Sequence, residues 1–226
     1  MTKKILLLLL CVVPLFATAQ DTIKKSKSVI SVSILSSTLS QAPRWGVGYT
    51  HKVSPRIWAG IEVGYGNKNM VFNGSPGDGN TEKDYQLFEI RPSVYYDLRP
   101  SGKLKHLASA ELYYIHHTDT YYTDWYHDND VPMWYRYEQA DYKRQKYGLN
   151  INYNLVYNLG KHFSLMQTMG IGIKIRDVAY TNVTGKQEDP NHEESDVFFS
   201  TTNYKVETGT AIGFNFNMDL KVLYRF

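Results

Sequence analysis

Apolar and polar residues alternate with a period of two along residues 147–159. Every odd-numbered position in this stretch is apolar or aromatic, and five of the six positions between them are Gly or Asn. Side chains that alternate in this way predict a β-strand with one apolar and one polar face. At about 3.3 Å per residue, the stretch is long enough to cross a bilayer when it is tilted.

The end of the chain repeats this pattern. Apolar side chains occupy the even positions from Ile212 to Phe226, and polar residues fill most of the positions between them, with Leu223 as the exception. A last strand that ends on Phe226, with Tyr224 two residues earlier, resembles the terminal strand that is recognised by the assembly machinery of outer-membrane barrels. The resemblance implies that Tyr224 and Phe226 form an assembly signal.

The same alternation predicts six further strands. All eight predicted strands are residues 28–37, 45–53, 57–66, 88–98, 104–116, 147–159, 163–176 and 205–226. Pro92 lacks a ladder donor, so we expect a bulge in the fourth strand. Residues 117–146 are strand-like on both sides of a turn, so we expect the fifth and sixth strands to continue as a hairpin beyond the membrane.

The connections between the predicted strands differ in length. Those after the second, fourth and sixth strands are tight turns, and those after the third, fifth and seventh run long. An even strand number, short periplasmic turns and long extracellular loops are typical of outer-membrane barrels. The sequence therefore predicts an all-β fold, an eight-stranded antiparallel up-and-down transmembrane β-barrel, with both ends of the chain in the periplasm.

The first residues predict the compartment. Lys3 and Lys4 precede an apolar run over residues 5–16 and a small-residue segment over residues 17–19, the order of a secretory signal cleaved before Gln20. The predicted organisation is a signal peptide (1–19) that removes Cys11, a periplasmic leader (20–27) and a barrel domain (28–226). We expect the protein in the outer membrane of a Gram-negative bacterium.

Charge narrows the classes of partner. The chain has 25 basic and 22 acidic residues, and removal of the two signal-peptide lysines leaves a net charge near +1. Proteins that bind nucleic acids carry a clustered excess of basic residues, so no nucleic-acid partner is expected. We expect no cofactor either.

A soluble eight-stranded barrel of the lipocalin kind would use the same alternation with the apolar face inward around a ligand. The polar face, however, carries charges of both signs at mid-strand, and aromatic residues cluster toward the strand ends, as an interfacial girdle requires. We therefore expect the charges inside the barrel, paired as a salt-bridge plug, because unpaired buried ions are costly. A small channel through the lumen is the alternative. The predicted lumen network is Glu62, Glu89, Arg91, Asp97, Glu111, Lys174, Arg176, Asp219, Lys221 and Arg225, with Lys52 on the same face.

Together these features resemble the small outer-membrane barrels typified by OmpX, Ail and the OmpA transmembrane domain, and the barrel-domain proteins common in Bacteroidota. The resemblance implies contact with outer-membrane lipid, lipopolysaccharide and the barrel-assembly machinery. It also implies a surface role such as adhesion, with an extracellular protein or glycan as partner, or a structural role among the subunits of an envelope complex.

Some barrels of this size are enzymes that modify lipid A or move acyl chains. His162-Phe163-Ser164 resembles the His-x-Ser of the lipid A deacylase PagL, but the topology places it in a periplasmic turn and the residues that follow do not match that family. His116, His117 and Asp119 lie nearer the outer rim and would need a Ser or Thr from another loop, as in a palmitoyl-transfer barrel. We expect a non-enzymatic protein.

Two acidic segments offer the oxygen ligands that calcium takes, although neither matches the EF-hand spacing. The candidate ligands are Asp124, Asp128, Asn129 and Asp130 in one segment and Glu188, Asp189, Glu193, Glu194 and Asp196 in the other.

The favoured binding site is aromatic. Large rings that lie outside the lipid band are the side chains that binding surfaces favour, and a hairpin would place Trp125 and Tyr135 or Tyr137 on one face. The alternative is a sheet whose rings pair across strands for stability. The predicted partner-binding residues are Trp125, Tyr126, Trp134, Tyr135 and Tyr137.

Overall fold

The computed structural model describes residues 27–38, 40, 42–70, 84–98, 104–190 and 206–226. The strands in this part of the chain are β1 (Ser28–Ser33), β2 (Trp45–Lys52), β3 (Ile57–Asn67), β4 (Gln86–Asp97), β5 (Leu104–Asp128), β6 (Met133–Asn158), β7 (Phe163–Thr184), β8 (Gln187–Glu188) and β9 (Gly209–Arg225). A short helix, α1 (Leu35–Thr38), follows β1, and a 3₁₀ turn (Lys68–Met70) follows β3. The predicted signal peptide lies outside the described residues.

Within those ranges, no helix is long and apolar enough to cross a membrane.

Eight of the strands form one closed antiparallel sheet. Neighbours in sequence pair from β1 to β7, β7 pairs with β9, and β9 returns to β1. The two-residue β8 lies outside this ring and adds to the upper edge of β6. The predicted fold, an eight-stranded transmembrane β-barrel, is therefore confirmed.

The two faces of the sheet are sorted as predicted. Ile171 and Phe216 on the outside are 64% and 81% exposed, whereas Glu89 and Asn150 on the inside are 1% and 0% exposed. A soluble barrel would bury the apolar face, so the lipocalin-like alternative is wrong. The apolar side chains cover the exterior, where lipid solvates them.

Aromatic residues mark the two borders of this apolar exterior. Tyr157 and Tyr147 stand ten residues apart on β6, which corresponds to about 25 Å across the bilayer at about 3.3 Å per residue and a tilt near 40°. At the lower border Phe163 pairs with Tyr224, and at the upper border Tyr114 pairs with Tyr147. We call the lower border the short-turn end and the upper border the long-loop end.

β5 and β6 extend far beyond the upper border. They pair from Leu104 opposite Tyr157 to Asp128 opposite Met133, and a four-residue turn joins them. The predicted hairpin is confirmed, and β7 continues beside it as far as Thr184. We call the part of this sheet above Tyr114 and Tyr147 the hairpin extension.

Two local predictions are wrong. The first strand ends at Ser33, because the next residues turn back on the backbone: Ser37 Oγ and Thr38 Oγ1 both donate to the carbonyl of Ile34, at 2.8 and 3.0 Å, a bond that competes with strand pairing. Pro92 causes no bulge. The β4–β5 ladder is interrupted at Arg91 and Pro92 and then resumes in the same register.

The apolar exterior predicts a position-dependent cost for charge. Ile171 lies between Ile151 and Phe216 in the middle of the belt, so Ile171→Arg should destabilise the barrel by about 2–4 kcal/mol. Val131 is similarly exposed, at 56%, but lies at the tip of the hairpin, so Val131→Arg should leave stability within about 0.5 kcal/mol. Urea unfolding in lipid vesicles measures both, and equal effects would contradict the lipid-facing assignment.

Candidate functional site

The lumen is crossed by a chain of ion pairs centred on Glu89. Arg44 bonds its carboxylate through Nε and through Nη2, the latter at 2.9 Å. Arg91 reaches the same carboxylate at 2.6 Å and also donates to Glu111 at 2.8 Å. Because all four side chains are largely buried, each charge is balanced inside the barrel, as buried ions require.

A second group of ions lies across the β1–β9 seam. Lys221 of β9 bonds Glu62 of β3 and lies 3.6 Å from Asp219. Ser33 at the end of β1 donates to both oxygens of Asp219, at 2.7 and 2.9 Å. The group therefore ties together the strands that close the barrel.

An amide ladder joins β6 to its neighbour β5 and, across β7, to β9. Asn150 donates to Glu111 at 3.1 Å and accepts from Asn215 at 2.8 Å, and Asn152 accepts from Asn217 at 2.9 Å. On β7, a Cβ at Gly172 would lie 2.5 Å from Asn150 Oδ1, so glycine is what lets the amide pack against that strand.

The structure does not bring every predicted lumen residue into this centre. Arg176 pairs with Glu207 at the long-loop end. Arg225 donates to Ser164 and to the carbonyl of Gly160 at the short-turn end, at 2.9 and 3.1 Å. Asp97 is buried near the same end, Lys174 lies in the wall of the upper lumen, and Lys52 stands over the Trp58 ring.

Sequence reasoning missed Arg44 and the apolar layers of the lumen. Arg44 precedes β2, so no strand alternation marks it. Apolar clusters lie below and above the ions, where the inward positions were predicted to be mainly polar. The lower cluster contains Val29, Tyr95, Val156, Met166 and Leu223, and the upper one contains Ala42, Tyr85, Leu87, Tyr113 and Ile115.

The inner face of the hairpin extension has a core of its own. Tyr126, Tyr137 and Tyr142 are 1–5% exposed, and Tyr180 of β7 packs against all three, with ring centroids 4.8–5.7 Å apart. Burial raises the pKa of the Tyr137 and Tyr180 hydroxyls well above its ordinary value, so both stay neutral. Lys186 caps the cluster, 3.6 Å from the Tyr135 ring centroid.

The outer face carries a different set. Trp125 and Arg136 are opposite each other in the β5–β6 ladder, and the Arg136 guanidinium lies 5.6 Å from the centroid of the Trp125 ring. His127 and Trp134 are also opposite each other, with ring centroids 5.2 Å apart. We call Trp125, His127, Trp134 and Arg136 the outer face.

The five predicted partner-binding residues are therefore divided. Trp125 and Trp134 lie on the outer face, whereas Tyr126, Tyr135 and Tyr137 are buried on the other side. The prediction that Trp125 shares a face with Tyr135 or Tyr137 is wrong. The β5–β6 register is the reason, because it places Trp125 opposite Arg136 and Tyr126 opposite Tyr135. The φ of 51° at Thr123 and the shift of β6 against β7 between Gln139 and Asp141 decide which of the two faces is buried.

The candidate catalytic groups are not assembled. The ring of His162 contacts the carbonyl of Arg225 at 3.0 Å, while Ser164 points inward and donates to Asn158 at 3.0 Å. His117 is buried between Tyr85 and Tyr142, and His116, its neighbour on the strand, points to the opposite face. His162 and Ser164 therefore form no nucleophile–base contact, and His116 and His117 do not share a face of β5.

The candidate calcium ligands are not brought together either. Among the described residues, no group of three or more His, Cys, Asp or Glu side chains is placed to hold a metal ion. Glu193, Glu194 and Asp196 lie outside those residues.

The end of β9 lies at the lower border. Tyr224 and Phe226 are 42% and 45% exposed on the exterior, with ring centroids 6.4 Å apart. Their role as an assembly signal stays a prediction.

The solved structures that are similar to this chain include two bacterial proteins. One is a major outer membrane protein from Thermus thermophilus, with a TM-score of 0.48 and 14% sequence identity over 88% of this chain and 98% of that chain. The other is the N-terminal β-barrel domain of Pseudomonas aeruginosa OprF, with a TM-score of 0.42 and 13% identity over 89% of this chain and 98% of that chain. No family model and no curated protein matches the sequence.

The ions at the β1–β9 seam predict how the free energy of unfolding changes when their charges are removed. Glu62→Gln leaves the buried Lys221 without its main counter-charge and should cost about 3 kcal/mol. Replacing all three ionised groups, as in Glu62→Gln with Lys221→Met and Asp219→Asn, should recover most of that loss, because none of the three charges then remains.

Urea unfolding in vesicles measures these variants, with Glu138→Gln on the exposed hairpin as the matched control. A Glu62→Gln barrel as stable as the native one would show that the pair does not support closure.

Proposed function

We propose that this chain is a non-enzymatic outer-membrane protein that binds a partner at the cell surface through the outer face of its hairpin extension. One observation carries the proposal: the hairpin continues far beyond the lipid belt as a folded sheet with its own core. From Tyr114 to Asp128 is fourteen residues, or roughly 45 Å along the strand at about 3.3 Å per residue.

The extension is secured at both edges, which supports a role as a rigid surface. On the β5 side, Thr208 N–H donates to the carbonyl of His127 at 2.9 Å, and Asn129 Nδ2 donates to the carbonyl of Thr208 at 2.7 Å. On the β6 side, β8 pairs with Tyr135 and Arg136. Unprotected strand edges invite pairing with other chains. The β6 edge is covered by β7 as far as Thr184 and then by β8, which favours the outer face as the contact surface.

The chemistry of the outer face suits recognition. Tryptophan and arginine are among the residues most enriched at binding hot spots, and a ring held by a neighbouring side chain loses little entropy on binding. An aromatic and cationic face of this kind fits a glycan or a protein surface.

The predicted signal peptide and the apolar belt support the outer membrane as the location. Only helices and closed barrels satisfy all backbone groups in lipid, and a closed barrel with an apolar exterior is the outer-membrane solution. Under this proposal the short-turn end faces the periplasm, the hairpin faces outward beside lipopolysaccharide, and the assembly machinery reads Phe226.

Replacement of the two outer-face tryptophans tests the binding site. The full chain in lipid nanodiscs is screened against immobilised glycans and extracellular matrix proteins, and Trp125→Ala with Trp134→Ala should weaken the strongest interaction at least about thirtyfold, since hot-spot residues contribute about 2 kcal/mol or more. Val131→Ala, at the exposed tip of the same hairpin, should bind like the native chain.

A location control makes the result interpretable. In intact cells, a membrane-impermeant maleimide should label Val131→Cys but not Lys161→Cys in the opposite turn. Labelling of Val131→Cys, combined with unchanged binding by the Trp125→Ala, Trp134→Ala variant, would contradict the proposal. Labelling of Lys161→Cys alone would also contradict it.

A further inference from the structure

The short-turn end of the exterior carries a ring of tyrosines. Their side chains are 42–45% exposed, so they face lipid on the outside of the barrel. They belong to β2, β4, β6 and β9, which are every second strand around the closed sheet. We call them the tyrosine ring, and its members are Tyr49, Tyr96, Tyr153 and Tyr224.

Two members of the tyrosine ring stack on histidines. His51, two residues after Tyr49 on β2, has its ring centroid 6.5 Å from that of the tyrosine, with 13° between the ring planes. Ser28 Oγ lies 2.9 Å from His51 Nδ1 and 3.0 Å from the Tyr49 hydroxyl, which fixes the two rings relative to each other. His162, in the turn between β6 and β7, stacks on Tyr224 with the centroids 5.8 Å apart. Both imidazoles therefore lie beside rings that face lipid.

The other two members are hydrogen-bonded to basic side chains. Arg56, in the turn between β2 and β3, donates from Nη1 to the Tyr96 hydroxyl at 3.3 Å. His106 of β5 is hydrogen-bonded through Nδ1 to the Tyr153 hydroxyl, and the two ring centroids are 6.0 Å apart. A histidine or an arginine therefore accompanies every member of the tyrosine ring.

The connections at the two ends of the barrel differ in the sign of their charge. In the sequence, the three short turns (53–56, 98–103 and 159–162) contain four Lys or Arg residues and no Asp or Glu. The three long connections (68–85, 129–132 and 185–208) contain ten acidic and four basic residues. An anionic partner is therefore attracted to the short-turn end and repelled by the long-loop end.

Two of the basic side chains at the short-turn end carry exposed charge. Arg56 and Lys161 are both exposed, and neither forms a salt bridge with another residue that the structure describes. The acidic side chain next to the second turn, Asp97, is 2% exposed because it points into the barrel. The positive charge at this end therefore lies on the outside, and the carboxylate lies within.

The length of the turns keeps these charges close to the membrane surface. The turns of Arg56 and Lys161 are each four residues long, so neither side chain extends far beyond the tyrosine ring. Tyrosine at a membrane interface places its ring in the apolar region and its hydroxyl toward water. A cation bonded to such a hydroxyl, as Arg56 is to Tyr96, lies at the level of lipid headgroups. A soluble partner would meet the end of the barrel, whereas these side chains surround its circumference.

We propose that the short-turn end is a binding surface for anionic phospholipids. Arg56 and Lys161 pair with the headgroup phosphate through charge-assisted hydrogen bonds, and the tyrosine ring packs against the glycerol and the first part of the acyl chains. Phosphatidylglycerol has a net negative charge, whereas phosphatidylcholine balances its phosphate with a cation, so the surface selects phosphatidylglycerol. This surface is separate from the outer face of the hairpin extension and does not depend on the partner bound there.

Electron paramagnetic resonance of spin-labelled lipids tests the proposal. The full chain is reconstituted in vesicles with the same lipids in both leaflets, so the result does not depend on the direction in which the barrel inserts. The immobilised fractions of spin-labelled phosphatidylglycerol and phosphatidylcholine give their relative association constant. At low salt it should favour phosphatidylglycerol about fivefold, the factor that one basic residue contributes near an anionic membrane surface. At about 1 M salt, where charges are screened within about 3 Å, the preference should disappear.

Charge variants assign this preference to the short-turn end. Arg56→Gln with Lys161→Gln should lower the preference below about twofold, because both exposed charges are lost. The matched control, Lys68→Gln with Lys143→Gln, removes two exposed cations at the long-loop end and should keep the native preference. Arg56→Lys with Lys161→Arg retains both charges and should also keep it. Heat-modifiable migration on a gel confirms that each variant is folded.

A second measurement locates the selected lipid. The only native cysteine, Cys11, lies in the predicted signal peptide, so bimane can be attached to Leu159→Cys at the lower border or to Tyr147→Cys at the upper border. Both positions are exposed on the exterior, at 57% and 46%. Doxyl-labelled phosphatidylglycerol should quench the label at the lower border more strongly than doxyl-labelled phosphatidylcholine does. At the upper border phosphatidylglycerol should have no advantage.

Three results would overturn the proposal. The first is equal association of the two lipids with the native barrel at low salt. The second is a preference that persists in Arg56→Gln with Lys161→Gln, or that is equal at the two borders, since the attraction would then lie elsewhere. The third is binding of heparin, a soluble polyanion, that the same variant loses and that phosphatidylglycerol does not reduce, which would make a soluble polymer the occupant of this surface.

Discussion

The cost of an unpaired backbone in lipid is the constraint on which this structure depends. Each unsatisfied N–H or C=O group in the hydrocarbon costs several kcal/mol, so a transmembrane sheet must close. Here closure rests on the five residue pairs between β1 and β9. Ser33, Asp219, Lys221 and Glu62 stand directly at that seam, which explains why a chain of ions is maintained where the barrel joins its own ends.

Closure with eight strands in turn dictates the lumen. A ring of this size leaves space for side chains and little else, so the inward positions are filled by layers: an apolar cluster at the short-turn end, then ions and amides, then a second apolar cluster. Glu89 is paired with Arg44 and Arg91. The amides of Asn150 and Asn152 are hydrogen-bonded to side chains on other strands.

The strands of the barrel and the direction of their faces could be predicted from period-two alternation. A strand that faces lipid on one side and ions on the other has the strongest possible contrast between its faces. Alternation failed where the backbone departs from a regular strand. Thr123 at positive φ reverses the faces of β5, so Tyr126 points inward and Trp125 outward, the opposite of what continued alternation from the barrel would give. Ser37 and Thr38 bond the backbone locally and end β1 early. Arg44 was missed because it enters the lumen from outside any strand, and only the closed fold brings it to Glu89.

The most direct test of the account is the accessibility of single spin-labelled cysteines at Ala108, Ser109, Ala110 and Leu112 in vesicles. These small or exposed positions span the wall of β5, and the only native cysteine, Cys11, lies in the predicted signal peptide. An inside-out barrel predicts that labels at 108, 110 and 112 collide with oxygen dissolved in lipid while the label at Ser109 is shielded from both oxygen and a water-soluble nickel reagent. The reverse pattern of accessibility, with the label at Ser109 exposed to lipid or water and the labels at its neighbours shielded, would contradict a barrel with an apolar exterior.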